Sequence, residues 1–193
     1  MKIKLILTAI ATCFCIIAPS QTLEVEDDIV SHWEADVIVG LNSNGWQSEV
    51  GCAYFPVQYV GIKANIGFAG EIKEFSDWGL DDEDTGHSYA TRFKFTPSVV
   101  LRTPSIATFN NGAALYLFTE GGLVISPGAS DSDNAKTCCW DAKCGINYQK
   151  GRLVLFGGYG ITNFNLYSGF PEYLHEHNDR LTHSGFIGTA YKF

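Results

Sequence analysis

From residue 36 onward the chain alternates. In "ADVIVGLNSNGWQSEVGCAYFP", Val37, Val39 and Leu41 take turns with Asp36, Gly40 and Asn42. After Asn44-Gly45, Val50, Cys52 and Tyr54 take turns with Gln47, Glu49, Gly51 and Ala53. A period of two is the mark of a strand with unlike faces. Asn-Gly between two such runs predicts a hairpin with a two-residue turn, Ser43 facing Trp46.

The pattern recurs along the chain. Val60, Ile62, Ala64, Ile66, Phe68 and Ile72 oppose Gly61, Lys63, Asn65, Gly67, Ala69 and Glu71. Tyr89, Phe93, Phe95, Val99 and Leu101 oppose Arg92, Lys94, Thr96 and Ser98, with a bulge expected at Pro97 because proline cannot donate to a ladder. Leu115, Leu117, Leu123 and Ile125 oppose Tyr116, Phe118 and Glu120. Trp140, Ala142, Cys144, Ile146 and Tyr148 oppose Asp141, Lys143, Gly145 and Asn147. The run 152–164 is apolar on both faces and rich in glycine, so its register stays open. The last run sets Ile187, Thr189, Tyr191 and Phe193 against Phe186, Gly188, Ala190 and Lys192. Eight strands of about ten residues match the length that crosses a bilayer at a tilt. An even number closes without an open edge. The expected fold is all-β, an eight-stranded antiparallel up-and-down transmembrane β-barrel over residues 21–193.

The connections sort by rim. Those near 56–58, 103–112 and 149–151 are short or moderate, whereas 73–87, 127–137 and 165–181 are mostly longer, polar and acidic. Short periplasmic turns and long extracellular loops are the outer-membrane arrangement, with both termini periplasmic. Trp46, Phe68, Tyr89 and Trp140 fall near one set of outward strand ends, and Tyr54, Tyr148, Tyr191 and Phe193 near the other. Two water–lipid interfaces select two such girdles. Alternation alone does not say which face is inside, so a soluble secreted β-barrel with a greasy core is the alternative.

The first residues, "MKIKLILTAIATCFCIIAPSQT", carry Lys2 and Lys4, an apolar run, and Ala18 and Ser20 before Gln21. That predicts a secretory signal peptide over 1–20. A lipoprotein leader with Cys13 as the acylated residue fits less well, because Thr12 precedes it. The formal charge of −8 becomes more negative once Lys2 and Lys4 leave with the leader. A basic stripe for nucleic acid is absent. The acids gather in 21–36 and 71–84, outside most of the alternating runs. Cys52, Cys138, Cys139 and Cys144 match no zinc spacing, and Cys52 and Cys144 fall on outward faces.

These features resemble the small eight-stranded outer-membrane barrels of the OmpA/OmpX type, the porin-like outer membrane protein β-barrel family. The resemblance spans the mature chain and rests on pattern; its most specific part is "HSGFIGTAYKF". Family members end on an aromatic strand that the barrel assembly machinery reads. Gly188, Tyr191 and Phe193 match that signal, while Phe186 stands where a polar residue is preferred. The resemblance implies outer-membrane lipid and lipopolysaccharide as surroundings.

The predicted inward face gathers Asp36, Glu49, Lys63, Glu71, Arg92, Lys94, Glu120, Asp141 and Lys143. An eight-stranded lumen has room only for side chains, and buried charges there must pair. The first reading is a structural network filling the lumen; the sharper one is a narrow pore lined by Arg92, Lys94 and Glu49. "DDEDTGH" begins like a calcium loop, but its twelfth position is Arg92 rather than the required Glu. His175, Glu176, His177 and Asp179 form a cluster of metal-ligating types without diagnostic spacing. For a lipid A-modifying enzyme, His183 and Ser184 point to opposite faces, which leaves His183 with Ser43 across strands and no acid to orient them. The expectation is therefore a non-enzymatic barrel of the bacterial outer membrane, with no cofactor and no metal. An external ligand at the loops 73–87, 127–137 and 165–181 stays open.

Overall fold

A computed structural model describes residues 32–43, 45–72, 91–127, 137–166 and 181–193, with Glu71 described in its backbone only. The expected leader 1–20, Tyr89, the 73–87 loop and the His175–Asp179 cluster lie outside these residues. So do the other two long loops except at their edges.

The described strands are β1 (Trp33–Asn42), β2 (Gly45–Val57), β3 (Val60–Glu71), β4 (Thr91–Arg102), β5 (Ala107–Thr108), β6 (Ala113–Ile125), β7 (Cys138–Lys150), β8 (Leu153–Thr162) and β9 (Thr182–Lys192). All pairings are antiparallel. β1 pairs with both β2 and β9, and β4 pairs with β6. These contacts close β1–β4 and β6–β9 into a ring of eight, in which every described strand pairs with a neighbour on each side. The two-residue β5 is extra to that ring. The β4–β6 ladder ends at Arg102 opposite Phe118, and β5 continues along β6 at Ala107↔Leu115 and Thr108↔Ala114. The expected 103–112 connection thus folds back to cover the stretch of β6 that β4 does not reach.

Three local expectations change. The first hairpin sets Asn42 opposite Gly45 and Leu41 opposite Trp46, rather than Ser43 opposite Trp46. The Ser43 amide donates instead to the His183 carbonyl at 2.9 Å, so β9 holds that residue. The slip moves each partner by two positions, and every side chain keeps its face. Pro97 makes no bulge. The β3–β4 ladder runs straight through Ala64↔Pro97, while the β4–β6 ladder passes from Phe95↔Ile125 to Ser98↔Gly122 in unchanged register. Its missing donor faces β6, so a bond is skipped and no residue is inserted. The register shift lies instead between Tyr54 and Val57, around Pro56, beside the tight turn at 58–59. The β7–β8 turn is at 151–152, where Gly151 adopts φ +57°, a conformation glycine takes without strain.

Alternation resolves into two surfaces. Val37, Val39, Ile62, Ile66, Phe68, Val99, Leu117, Ile146 and Ile187 face outward and are exposed. Asp36, Glu49, Lys63, Asn65, Lys94, Glu120 and Lys143 are buried within the ring. β8, whose register was open, turns Val154, Phe156, Gly158, Gly160 and Thr162 inward. A water-soluble barrel would carry the reverse arrangement. An apolar belt around a charged interior is the arrangement of a barrel that crosses a bilayer.

Candidate functional site

The lumen collects its polar groups because successive strands present their even or odd positions to it. β1 contributes Asp36, β2 Gln47 and Glu49, β3 Lys63 and Asn65, β4 Lys94 and Ser98, β6 Glu120, and β7 Asp141 and Lys143. Small inward residues make room for the large ones. A Cβ on Gly51 would overlap the side-chain amide of Asn65.

These side chains form a continuous line of alternating charge. Lys94 Nζ lies 2.6 Å from Glu49 Oε1, and Lys143 Nζ lies 3.3 Å from Glu49 Oε2. Lys143 continues to Glu120 at 3.7 Å and to Asp141 at 3.2 Å. Glu120 meets Lys63 at 3.5 Å, and Lys63 reaches Asp36 Oδ2 at 3.1 Å. Neutral donors and acceptors complete the line. Asn65 donates to Glu49 at 3.2 Å, Ser98 donates to Glu120 at 2.9 Å, and Lys94 donates to Gln47 at 3.2 Å. Each ion has left water, so each needs an opposite charge or hydrogen bond within reach.

Arg92 does not join Glu49. Its guanidinium donates to the carbonyls of Asn165 (3.2 Å), Ser126 (3.3 Å) and Pro127 (3.3 Å), and stacks 5.0 Å from the centre of the Phe164 ring. It thereby ties the long-connection ends of β6 and β8 to β4. Phe164 and Leu166 pack there with Ala69, Val124 and Cys139. The Glu71 side chain lies outside the described residues.

Three further ions sit at the short-turn rim. Arg102 grips Glu34 through both nitrogens, at 2.6 and 2.5 Å, and stacks 3.9 Å from the centre of the Phe55 ring. Lys192 donates to Gln149 at 2.7 Å and lies 3.7 Å from Glu34. The inward set expected from sequence lacked Glu34 and Arg102. Continuing the alternation two residues before Asp36, and along the 92–94–96–98 series to 102, finds both.

Phe186, the departure from the terminal pattern, is buried against Ile38 and Phe118, with Phe156 packed alongside. The pocket between this cluster, the charged line and the Glu34–Arg102 pair measures only about 20 Å³. That is close to the room of one water molecule. Asp36 Oδ1 borders it and has no hydrogen-bond partner among the described residues.

On the outer surface, Tyr191 and Phe193 meet edge to face at 5.5 Å, and the Phe193 amide donates to the Trp33 carbonyl at 3.0 Å. Gly188 lies opposite Phe156 and Ile38, where a Cβ would strike the Phe156 ring. His183 and Ser43 meet through their backbones; the His183 ring is hydrogen-bonded to the Tyr159 hydroxyl. Cys52 and Cys144 are exposed on the outer face and Cys139 is buried.

No known family matches the chain, and no curated protein does either. Among solved structures, it is similar to Neisserial surface protein A, at 13% identity and a TM-score of 0.49, covering 83% of this chain and 96% of that one. It is similar to the outer membrane enzyme PagL at 10% identity and a TM-score of 0.46, over 83% and 99% of the two chains. A major outer membrane protein from Thermus thermophilus aligns at 13% identity and a TM-score of 0.45, over 85% and 100%. These are likenesses of outline and assign no residue a role. By its own ring closure and its outward apolar belt, the chain has the fold of the small eight-stranded outer-membrane β-barrels.

Proposed function

We propose that the protein is a non-enzymatic integral barrel of the bacterial outer membrane, with a structural or surface-interaction role. The observation that carries this reading is the inversion of the ring. Glu49 is 2% exposed inside it, while Ile62 is 59% exposed outside. Apolar surface on that scale around a whole barrel is stable when lipid covers it. The buried, mutually paired charges inside the ring support a structural rather than a conducting role. Both termini are assigned to the periplasm because the short turns share their rim, and the acidic segments 73–87, 127–137 and 165–181 are assigned to the cell surface. Residues 1–20 act as the export signal. Gly188, Tyr191 and Phe193 serve as the signal for the barrel assembly machinery, and outer-membrane lipid and lipopolysaccharide surround the belt.

The test combines membrane fractionation with protease treatment of whole cells. The expected result is an outer-membrane protein cut within 73–87 from outside. A soluble protein, or one cut there only after the outer membrane is opened, overturns the reading. Planar-bilayer recording of the purified protein is expected to give no discrete conductance steps.

A further inference from the structure

The outward face is not uniformly convex. Across β1, β9, β8 and β7 it carries an apolar groove of about 560 Å³, walled by Val39, Ile187, Ile146, Tyr148 and Leu155, with Gly157 at its floor. The volume lies within the range of about 300–1,000 Å³ usual for small-molecule sites. Gly157 is the residue that opens it. It stands between Ile146 on β7 and Ile187 on β9 in the ladder, so a side chain there would fill the space. Crowding does not demand glycine at this position: a Cβ would meet the Phe186 carbonyl at 3.3 Å and Ile187 at 3.5 Å, a close but passable fit. The next residue differs, since a Cβ on Gly158 would run into the backbone of Cys144 and Gly145.

The two strands that carry the groove's centre, β7 and β8, are joined by the 151–152 turn, and both Lys150 and Arg152 are exposed there. The turn is anchored, because the Arg152 carbonyl accepts from the Lys192 amide at 2.9 Å. Arg152 lies five residues from Gly157, which is about 13 Å along the membrane normal for strands tilted by about 40°. Half of a hydrocarbon core is about 15 Å. A lipid whose phosphate sits at Lys150 and Arg152, outside that core, therefore has the middle of one tail passing through the groove over Gly157.

We propose that this groove holds one acyl tail of an anionic glycerophospholipid of the periplasmic leaflet, with the lipid phosphate at Lys150 and Arg152. The proposal rests on the outer-membrane reading above. The test uses full-length barrel in nanodiscs of phosphatidylglycerol and phosphatidylcholine, with retained lipid counted by native mass spectrometry. Folding and insertion are scored separately by heat-modifiable gel migration, so failure to insert strikes the membrane reading while an inserted barrel without lipid strikes this one. The wild type is expected to keep one phosphatidylglycerol. Gly157→Leu, or Thr189→Phe from the opposite wall if the first does not fold, is expected to lower retention at least fivefold. Lys150→Ala with Arg152→Ala is expected to lower it at least threefold and to abolish the preference over phosphatidylcholine. Gly121→Leu, outward on β6 with open space around it, is expected to change nothing. Retention by the filled groove equal to wild type, retention unchanged by loss of both rim cations, adducts of added lipopolysaccharide alone, or a lipid-free dimer each overturns the proposal.

Discussion

Replacing Glu49 with Leu isolates the charged line at its most connected point. Glu49 holds Lys94 at 2.6 Å, Lys143 at 3.3 Å and the Asn65 amide at 3.2 Å. Without it, Lys94 keeps Gln47 as its polar partner, whereas Lys143 keeps Glu120 and Asp141. The larger part of the damage therefore falls on Lys94, a buried ammonium left with no carboxylate within ion-pair distance among the described residues. Breaking a buried pair from one side costs about 3–5 kcal/mol, and Glu49→Leu is expected within that range. Lys94→Met leaves Glu49 with Lys143 and Asn65, so about 1.5–3 kcal/mol, the loss of one charged hydrogen bond, is expected. The double variant removes both unmatched ions, and about 1–3 kcal/mol of coupling should return. Glu49→Leu with Arg92→Leu should show none, because Arg92 bonds to backbone carbonyls and not to Glu49. The assay is urea unfolding of the barrel in lipid vesicles, followed by tryptophan fluorescence, as two double-mutant cycles. Additivity of Glu49→Leu and Lys94→Met to within about 0.5 kcal/mol would refute the pairing.

Two other outcomes are expected. Leu117→Arg, outward and well inside β6, should cost about 2–4 kcal/mol in vesicle unfolding, the penalty for a cation near the bilayer centre. Ile62→Arg, outward but only three residues into β3 and opposite Tyr54, should cost about 0–1 kcal/mol, the penalty near an interface. Spin labels at 62 and 63 should report lipid and interior respectively, and the opposite assignment would invert the barrel. Deleting Phe193 removes one exposed ring packed on Tyr191, worth about 1–3 kcal/mol. It should cut outer-membrane yield in cells more than refolding yield in detergent; equal yields in cells would make Phe193 ordinary strand sequence.

The sequence by itself sorted the residues of every strand but β8 into two faces, because a period of two survives any even slip in register, and the girdles and loop lengths then marked the polar face as the inward one. The first hairpin shows this: setting Asn42 opposite Gly45, rather than Ser43 opposite Trp46, changed every partner and no face. For the same reason Asp36, Lys63, Lys94 and Lys143 were legible as inward residues, and Glu34 and Arg102 were legible in the same alternation beyond its ends. Which inward residues touch was not legible. Alternation fixes a side of the wall, whereas contact across the lumen depends on strand tilt and stagger around the closed ring. Only the tertiary structure therefore joined Glu49 to Lys94 and Lys143 and carried Arg92 to the Phe164 cap. Pro97 follows the same division. Sequence says that a donor is missing, but only the neighbours reveal that the gap faces β6 and needs no bulge. Phe186 and Gly157 complete the contrast. A lone inward aromatic becomes part of the lumen plug only when Ile38 and Phe118 arrive beside it from distant strands. A lone outward glycine becomes the floor of a groove only when β7 and β9 raise walls on both sides.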